Sequence, residues 1–387
     1  MHELRSVVKH YDWGSVDALP DMLGMERDGT PWAELWMGTH PLGASTVTRE
    51  DGSTVPLSEV AGESLPYLLK ILAVAKPLSL QVHPDAAMAE RGFQRETERG
   101  VPIDAPHRVF KDPHHKPEMI YALTPFEGLI AFRPTAEVWH LLDGLDSALA
   151  RRLNDELRAD PGFPGLVRMV GRLLSPWMGP TSEELRAFVA DCQEKYAAGL
   201  DRRLAYATVT ELAVHHPDDP GLVVAALLNR ITLEPGQAAF IEVGVLHAYL
   251  SGTCVEVMAG SDNVLRAGLT GKHVEPQALV DCVHMGMAEA HVVTPKEEAG
   301  VRIFAPEVDE FALAVATVSG VEETALPGAG PRIVLCVDGE LVVRTETGSV
   351  SLTAGRSAFA GRGSGPVLVH GTGTVVQAFT PGHSPGH

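Results

Sequence analysis

Ile231-Thr232-Leu233-Glu234-Pro235-Gly236-Gln237-Ala238-Ala239-Phe240 decides the fold, because the chain repeats its pattern 119 residues later as Val350-Ser351-Leu352-Thr353-Ala354-Gly355-Arg356-Ser357-Ala358-Phe359. Both read apolar-x-Leu-x-x-Gly-x-x-x-Phe, which predicts a strand, a tight glycine turn and a strand back. Such units recur in double-sheet jelly rolls. In the second copy, Leu335 to Val342 also carries Asp338-Gly339 and reads as a further hairpin. The first copy continues to His247, whose counterpart is Pro366. One copy is therefore expected to hold a ligand and the other to be structural.

Upstream, residues 1–134 mix short apolar runs with proline and glycine, as in Pro77-Leu78-Ser79-Leu80-Gln81-Val82-His83-Pro84, a texture of strands and turns. Between 135 and 228 the period changes. Val138, Leu141, Leu142, Leu145, Leu149 and Leu153 recur at three- and four-residue steps and predict an amphipathic helix. Leu185, Phe188, Val189, Cys192 and Tyr196 make a second stripe, with Thr181 and Glu184 as a capping box before it. Strand texture returns after Asn229, and Pro381 to His387 reads as a frayed tail. The expected fold is mainly β with a helical insertion: two jelly-roll domains plus an α-helical domain. The first jelly roll is discontinuous, over 1–134 with 229–290 and catalytic; the helical insertion is 135–228; the second, non-catalytic jelly roll is 291–387.

A chain of 387 residues has room for two to three domains. Its net charge of −19 argues against nucleic acid or an anionic membrane as partner, and leaves an anionic small molecule possible only in a local cationic pocket. Cys192, Cys254, Cys282 and Cys336 form no CxxC pair and read as buried, reduced thiols of a cytoplasmic protein. Met1 to Ser15 carries Glu3, Arg5, Lys9 and Asp12 and does not read as a signal peptide. No apolar run approaches the roughly 20 residues that cross a bilayer.

Four stretches carry ionisable density. In Gln81-Val82-His83 the outer two residues share a face of a strand. In His115-Lys116-Pro117-Glu118 the proline favours extended backbone, which puts Lys116 and Glu118 together. If Ser251-Gly252 is a two-residue hairpin loop, His247 stands directly opposite Glu256. The loop from Ala259 to Lys272 offers Arg266 and Lys272 as cations for an anion. Taken singly, each also reads as an ordinary polar pair, charged turn, cross-strand ion pair or solvated loop. Taken together, Gln81, His83, Glu118 and His247 supply two imidazoles, a carboxylate and an amide oxygen, a set that suits zinc, with Fe(II) the alternative from ligand chemistry alone.

The sequence resembles the type I mannose-6-phosphate isomerases. The resemblance is carried by Tyr11-Asp12-Trp13-Gly14-Ser15, Ala33-Glu34-Leu35-Trp36-Met37-Gly38-Thr39-His40-Pro41, Leu78 to Asp85, His115-Lys116-Pro117-Glu118-Met119, His247-Ala248-Tyr249-Leu250-Ser251-Gly252 and, most specifically, Glu256 to Thr270. It implies a zinc-dependent cupin fold with one Zn2+ per chain on Gln81, His83, Glu118 and His247. It implies catalytic roles among Arg266, Lys116, Glu256, Asp262 and His115, and substrate or phosphate contacts from Ser79, Lys70, Lys272, Trp13 and Glu34. The implied reaction interconverts mannose 6-phosphate and fructose 6-phosphate through a cis-enediol, in a monomer whose partner is a sugar phosphate and neither nucleic acid nor membrane. His114, Gly260 and Gly271 depart from residues common in the family, and none of them is a ligand. Two other readings of the same residues are an Fe(II) cupin oxygenase, in which Gln81 would crowd the open positions, and a non-catalytic sugar-phosphate-binding cupin.

Overall fold

The computed structural model describes residues 1–49, 51–201, 203–283 and 291–381; of the expected frayed tail, 382–387 lie outside the described residues. Among the described residues the strands gather in two hydrogen-bonded sheets, one of eleven strands and one of ten. The eleven-stranded sheet folds over on itself through one long strand, His247–Ala259. Its first residues pair with Phe126–Phe132 and Gln81–Val82; its later ones pair with Tyr67–Val74 and Glu118–Ala122.

Ser251-Gly252 is therefore no hairpin loop, and His247 and Glu256 are not cross-strand partners. The strand bends there and runs on. Gly252 sits at φ +112, and a Cβ on it would stand 2.6 Å from the Pro125 carbonyl oxygen. The pairing with Phe126–Phe132 shifts register between Tyr249 and Ser251. A one-residue shift exchanges the faces of a strand, so odd-numbered His247 and Tyr249 and even-numbered Glu256 can all point inward. Asp338-Gly339 behaves alike: it follows a register shift at Val337 and stays paired inside the continuous strand Arg332–Thr345.

The repeat that suggested jelly rolls is real in three dimensions, but its strands do not pair with each other. Leu228–Leu233 pairs with Phe126–Phe132, whereas Ala238–Ile241 pairs with Glu118–Ala122, so the glycine turn carries the chain between layers. In the second copy, Gly348–Thr353 and Ser357–Ala360 likewise pair with separate parts of Arg332–Thr345. Both turns make the same bonds. Gln237 N–H donates to Glu234 at 3.0 Å and Gly236 N–H to Ala122 at 2.9 Å; Arg356 donates to Thr353 at 3.0 Å and Gly355 to Cys336 at 2.8 Å. The equivalence sets Arg332 at the place of Glu118, since Ile241 faces Glu118 and Ala360 faces Arg332.

The helical region starts at Thr135. The stripe Val138 to Leu153 is buried throughout but divides between two helices, Thr135–Asp143 and Ala148–Ala159, with Ser147 capping the second. Ser182–Ala197 has the expected capping box, Glu184 N–H on Thr181 Oγ1 at 3.2 Å and Thr181 N–H on Glu184 Oε2 at 2.8 Å. Tyr196, in its last turn, is exposed. Among the described residues the longest helix of the strand-textured regions, Ala86–Glu98, went unread; it is capped by Asp85, whose carboxylate accepts from Met88 N–H at 2.7 Å.

Alternation along the sheet positions the site. Leu35, Leu69, Ile71, Met119, Val255 and Val257 point outward and share a core with Phe311, Leu313, Ile333 and Val376 of the second jelly roll. The residues between them, Glu34, Lys70, Glu118 and Glu256, face inward. Burying each large apolar side chain contributes about 1.5–3 kcal/mol, so the second jelly roll seals the back of the sheet that carries the ionisable groups. The chain start joins that second unit: His2–Arg5 pairs with Ser357–Ala360. All four cysteines are buried and free, and among the described residues no helix is long and apolar enough to cross a membrane.

Candidate metal centre

Strand register brings the expected ligands together. His247 lies directly opposite Gln81, and their side chains meet with Gln81 Nε2 3.3 Å from His247 Nε2. His83, two residues beyond Gln81, shares its face. Glu118 opens the strand from the other layer and closes the cluster: its Oε1 is 3.2 Å from His83 Nε2 and its Oε2 is 3.4 Å from His247 Nε2. Candidate ligand atoms of His83, Glu118 and His247 all lie within 4.8 Å of one another, and the three side chains are buried.

The imidazoles are aimed. His83 Nδ1 donates to the Asn263 carbonyl at 2.6 Å and His247 Nδ1 to the Val245 carbonyl at 3.0 Å, which leaves each Nε2 as a lone pair facing Glu118, that of His247 also meeting the Gln81 amide. His83 Nε2 is fully buried with no hydrogen-bond partner among the described residues. A buried acceptor left bare between a carboxylate and a second imidazole fits a cation ligand set and little else. Burial pushes the His83 imidazole down to about 4, against the opposing pull of Glu118, and so keeps it neutral. Burial works to raise the Glu118 carboxyl, but Lys116, at 2.9 Å, and the imidazoles overcome it and hold it well below the usual carboxylate range.

A second group lies farther along the sheet. Glu256 faces Lys70 across the ladder, and Lys70 Nζ donates to Glu256 Oε2 at 3.0 Å. Glu34 accepts from Trp36 Nε1, and its carboxylate also acts on Lys70. Burial alone would lower Lys70, yet Glu256, Glu34 and Glu118 raise it, so it stays an ammonium. Burial pushes the Glu256 carboxyl up, opposed by Lys70. If all three carboxylates ionise, Glu34, Glu118 and Glu256 outnumber Lys70 and Lys116 by one negative charge. A bound divalent cation would more than offset that excess.

These groups line a cleft of about 600 Å³. Trp13, Glu34, Lys70, Ser79, Gln81, Lys116, Glu118, Glu256, Arg266 and Lys272 all reach its wall, with His83 and His247 buried behind. Arg266 lies directly opposite Gln81, on the two-residue strand Leu265–Arg266 paired to Gln81–Val82. Burial lowers it; burial and then Arg266 lower Lys272. Among the described residues no carboxylate acts on either, which leaves two uncompensated cations at the mouth of a strongly acidic protein.

Two expected residues do not line this cleft. Asp262 instead meets His40 Nε2 at 3.4 Å, and His115 Nε2 meets Glu310 of the second jelly roll at 2.6 Å. Three others were not singled out in the sequence. Tyr249, whose hydroxyl donates to Glu118 Oε2 at 3.4 Å, was read only as part of a motif. His215 and His216 line the cleft from the end of the helical insertion. Only tertiary folding brings them there.

Comparison with known proteins agrees with this geometry. Residues 1–135 match the family model described as phosphomannose isomerase type I, catalytic domain, and residues 302–380 match mannose-6-phosphate isomerase, cupin domain. The mannose-6-phosphate isomerase of Salmonella typhimurium is 36% identical over 98% of this chain and 99% of its own length. The human mannose-6-phosphate isomerase is 30% identical, covering 89% of each. A crystal structure of the Salmonella typhimurium mannose 6-phosphate isomerase, bound to substrate and a zinc atom, superposes with a TM-score of 0.87 at 35% identity, over 98% of this chain and 99% of that one.

Proposed function

Since the chain belongs to the mannose-6-phosphate isomerase family, we propose that its cleft interconverts mannose 6-phosphate and fructose 6-phosphate at one zinc ion held by Gln81, His83, Glu118 and His247. The observation that carries this reading is the bare, buried Nε2 of His83 facing Glu118 and His247. When bound, zinc supplies Lewis-acid polarisation of the sugar's carbonyl and hydroxyl oxygens.

The chain's own groups divide the remaining work. Lys272, Arg266 and Ser79 receive the phosphate at the mouth of the cleft, where no described carboxylate competes for the cations. That leaves the sugar's first two carbons toward Glu118 and Glu256. Isomerisation needs a proton taken from the carbon beside the carbonyl and returned to its neighbour, through a cis-enediol. Glu256 is the carboxylate best suited to carry it, because burial lifts its pKa toward the working range of a general base. Lys70, 3.0 Å away, steadies the charge that Glu256 carries between transfers. Lys116 places a fixed positive charge beside the enediol oxygens. Trp13 and Glu34 close the wall around the sugar.

The catalytic unit in this reading is 1–134 with 229–290, the insertion is 135–228, and 291–387 is a non-catalytic cupin. Arg332 at the place of Glu118 and Pro366 at that of His247 support the last assignment. The chain acts as a cytoplasmic monomer on a sugar phosphate, without nucleic acid or membrane; the charge of −19 and the four buried free thiols support this. The test is a coupled assay for fructose 6-phosphate formed from mannose 6-phosphate by purified, zinc-loaded chain. Sustained turnover is expected. No product, or oxygen uptake with Fe(II), contradicts the reading.

A further inference from the structure

We propose that Asp219, on the helical insertion, is a positioning residue: its carboxylate holds the loop bearing Arg266 and Lys272 in the shape that receives the phosphate. The proposal rests on the reading that those two cations face the phosphate. Asp219 Oδ1 accepts from Gly221 N–H at 2.7 Å, and its Oδ2 accepts from Thr270 N–H at 3.0 Å. One side chain thus bonds the end of the insertion to the middle of the cation-bearing loop. From Thr270 the order passes on, because Lys272 N–H donates to Thr270 Oγ1 at 3.1 Å.

That loop needs holding. Gly268 lies at φ +112 and Leu269 at φ +54, so a residue with a side chain sits in the left-handed region, a conformation that persists only where its surroundings enforce it. Arg266 and Lys272 also repel each other across the cleft mouth. The opposing restraints are all from neighbouring elements. Ala267 N–H donates to the Leu80 carbonyl at 2.8 Å and Leu80 N–H to the Gly268 carbonyl at 3.1 Å, which fixes the side nearest Ser79 and Gln81. On the other side the Leu269 side chain is buried in the helical core. There the two backbones come so close that a Cβ on Gly221 would stand 2.7 Å from Leu269 N, and one on Gly268 2.6 Å from Gly221 Cα. Asp219 itself does not line the cleft; it acts through the loop.

Steady-state kinetics on the zinc-loaded enzyme tests this, with mannose 6-phosphate as substrate and inorganic phosphate as competitive probe. In Asp219→Ala, KM and the phosphate Ki are expected to rise together about tenfold, with kcat within about twofold. Zinc content should be unchanged. Asp219→Asn, which keeps one acceptor oxygen, should fall between Ala and wild type. Wild-type KM and Ki in the Ala variant, or a fall in kcat alone, overturns the proposal. If the Ala variant does not fold, the Asn variant decides: a joint rise supports the role and wild-type values refute it. A wild-type enzyme inert toward mannose 6-phosphate would instead strike at the functional reading on which this one stands.

Discussion

At the residue scale, the chemistry is a matter of which lone pairs and charges are left bare. Glu118 touches both imidazoles and Lys116, so no neighbour can replace it. Glu118→Gln is expected to bind zinc at least about 100-fold more weakly, on the scale of lost metal-site contacts, and to lose nearly all turnover; zinc titration and the isomerase assay check both. At the other end of the cleft, Lys272→Ala should raise KM about tenfold while leaving kcat nearly unchanged, since a phosphate contact holds ground and transition states alike. A large kcat loss at constant KM would remove Lys272 from that role. The ligand residues were legible because their types and two-residue spacings survive in sequence. Asp262 and His115 were legible only as members of those motifs: motif proximity does not say that their side chains meet His40 and Glu310, nor that Asp262 also lies within the field of Lys116 and Lys70.

At the scale of the element, the bend at Gly252 decides which side chains face inward. Gly252→Ala combines positive φ with a Cβ 2.6 Å from the Pro125 carbonyl oxygen. It should destabilise the fold by about 1–3 kcal/mol, and where it folds, weaken zinc binding by moving His247 relative to Glu118. Unchanged melting temperature and zinc affinity would mean that the bulge does not set the register. This was the least legible feature of the chain. Ser251-Gly252 and Asp338-Gly339 have the composition of hairpin loops, and a glycine at positive φ serves a bulge equally well. Which one forms depends on the strands alongside, Tyr67–Val74 and Phe126–Phe132 for Gly252, and those lie far away in sequence. The apolar stripe from Val138 to Leu153 was legible as buried but not as two helices, because both halves face one core.

For the whole molecule, the second jelly roll adds no residue to the His83–Glu118–His247 group found among the described residues, but closes the back of the first and clips it at His115–Glu310. The hydrogen bond to Glu310 raises His115, and the same bond lowers Glu310. A raised histidine contributes stability that is full below its unfolded pKa and is lost as pH rises through its folded one; a lowered carboxyl contributes above its unfolded pKa and loses it as pH falls. The clip should therefore be strongest between about pH 4.3 and 6.5, the two unfolded values. His115→Ala is expected to lower the melting temperature by about 2 °C near pH 5.5, from a partly exposed pair worth about 1 kcal/mol, and by almost nothing at pH 9. An equal loss at both pH values would show packing, not the ion pair, to be responsible. The repeat made the doubled architecture legible, whereas the seating of His2–Arg5 in the second sheet left no mark in composition.

The most direct measurement is the rate of fructose 6-phosphate formation as zinc is added stepwise to the metal-stripped chain. The rate should start near zero, rise in proportion to zinc and break sharply at one equivalent per chain. A stripped chain that already turns over at full speed, or one that stays silent past one equivalent, would contradict a single zinc centre built from Gln81, His83, Glu118 and His247.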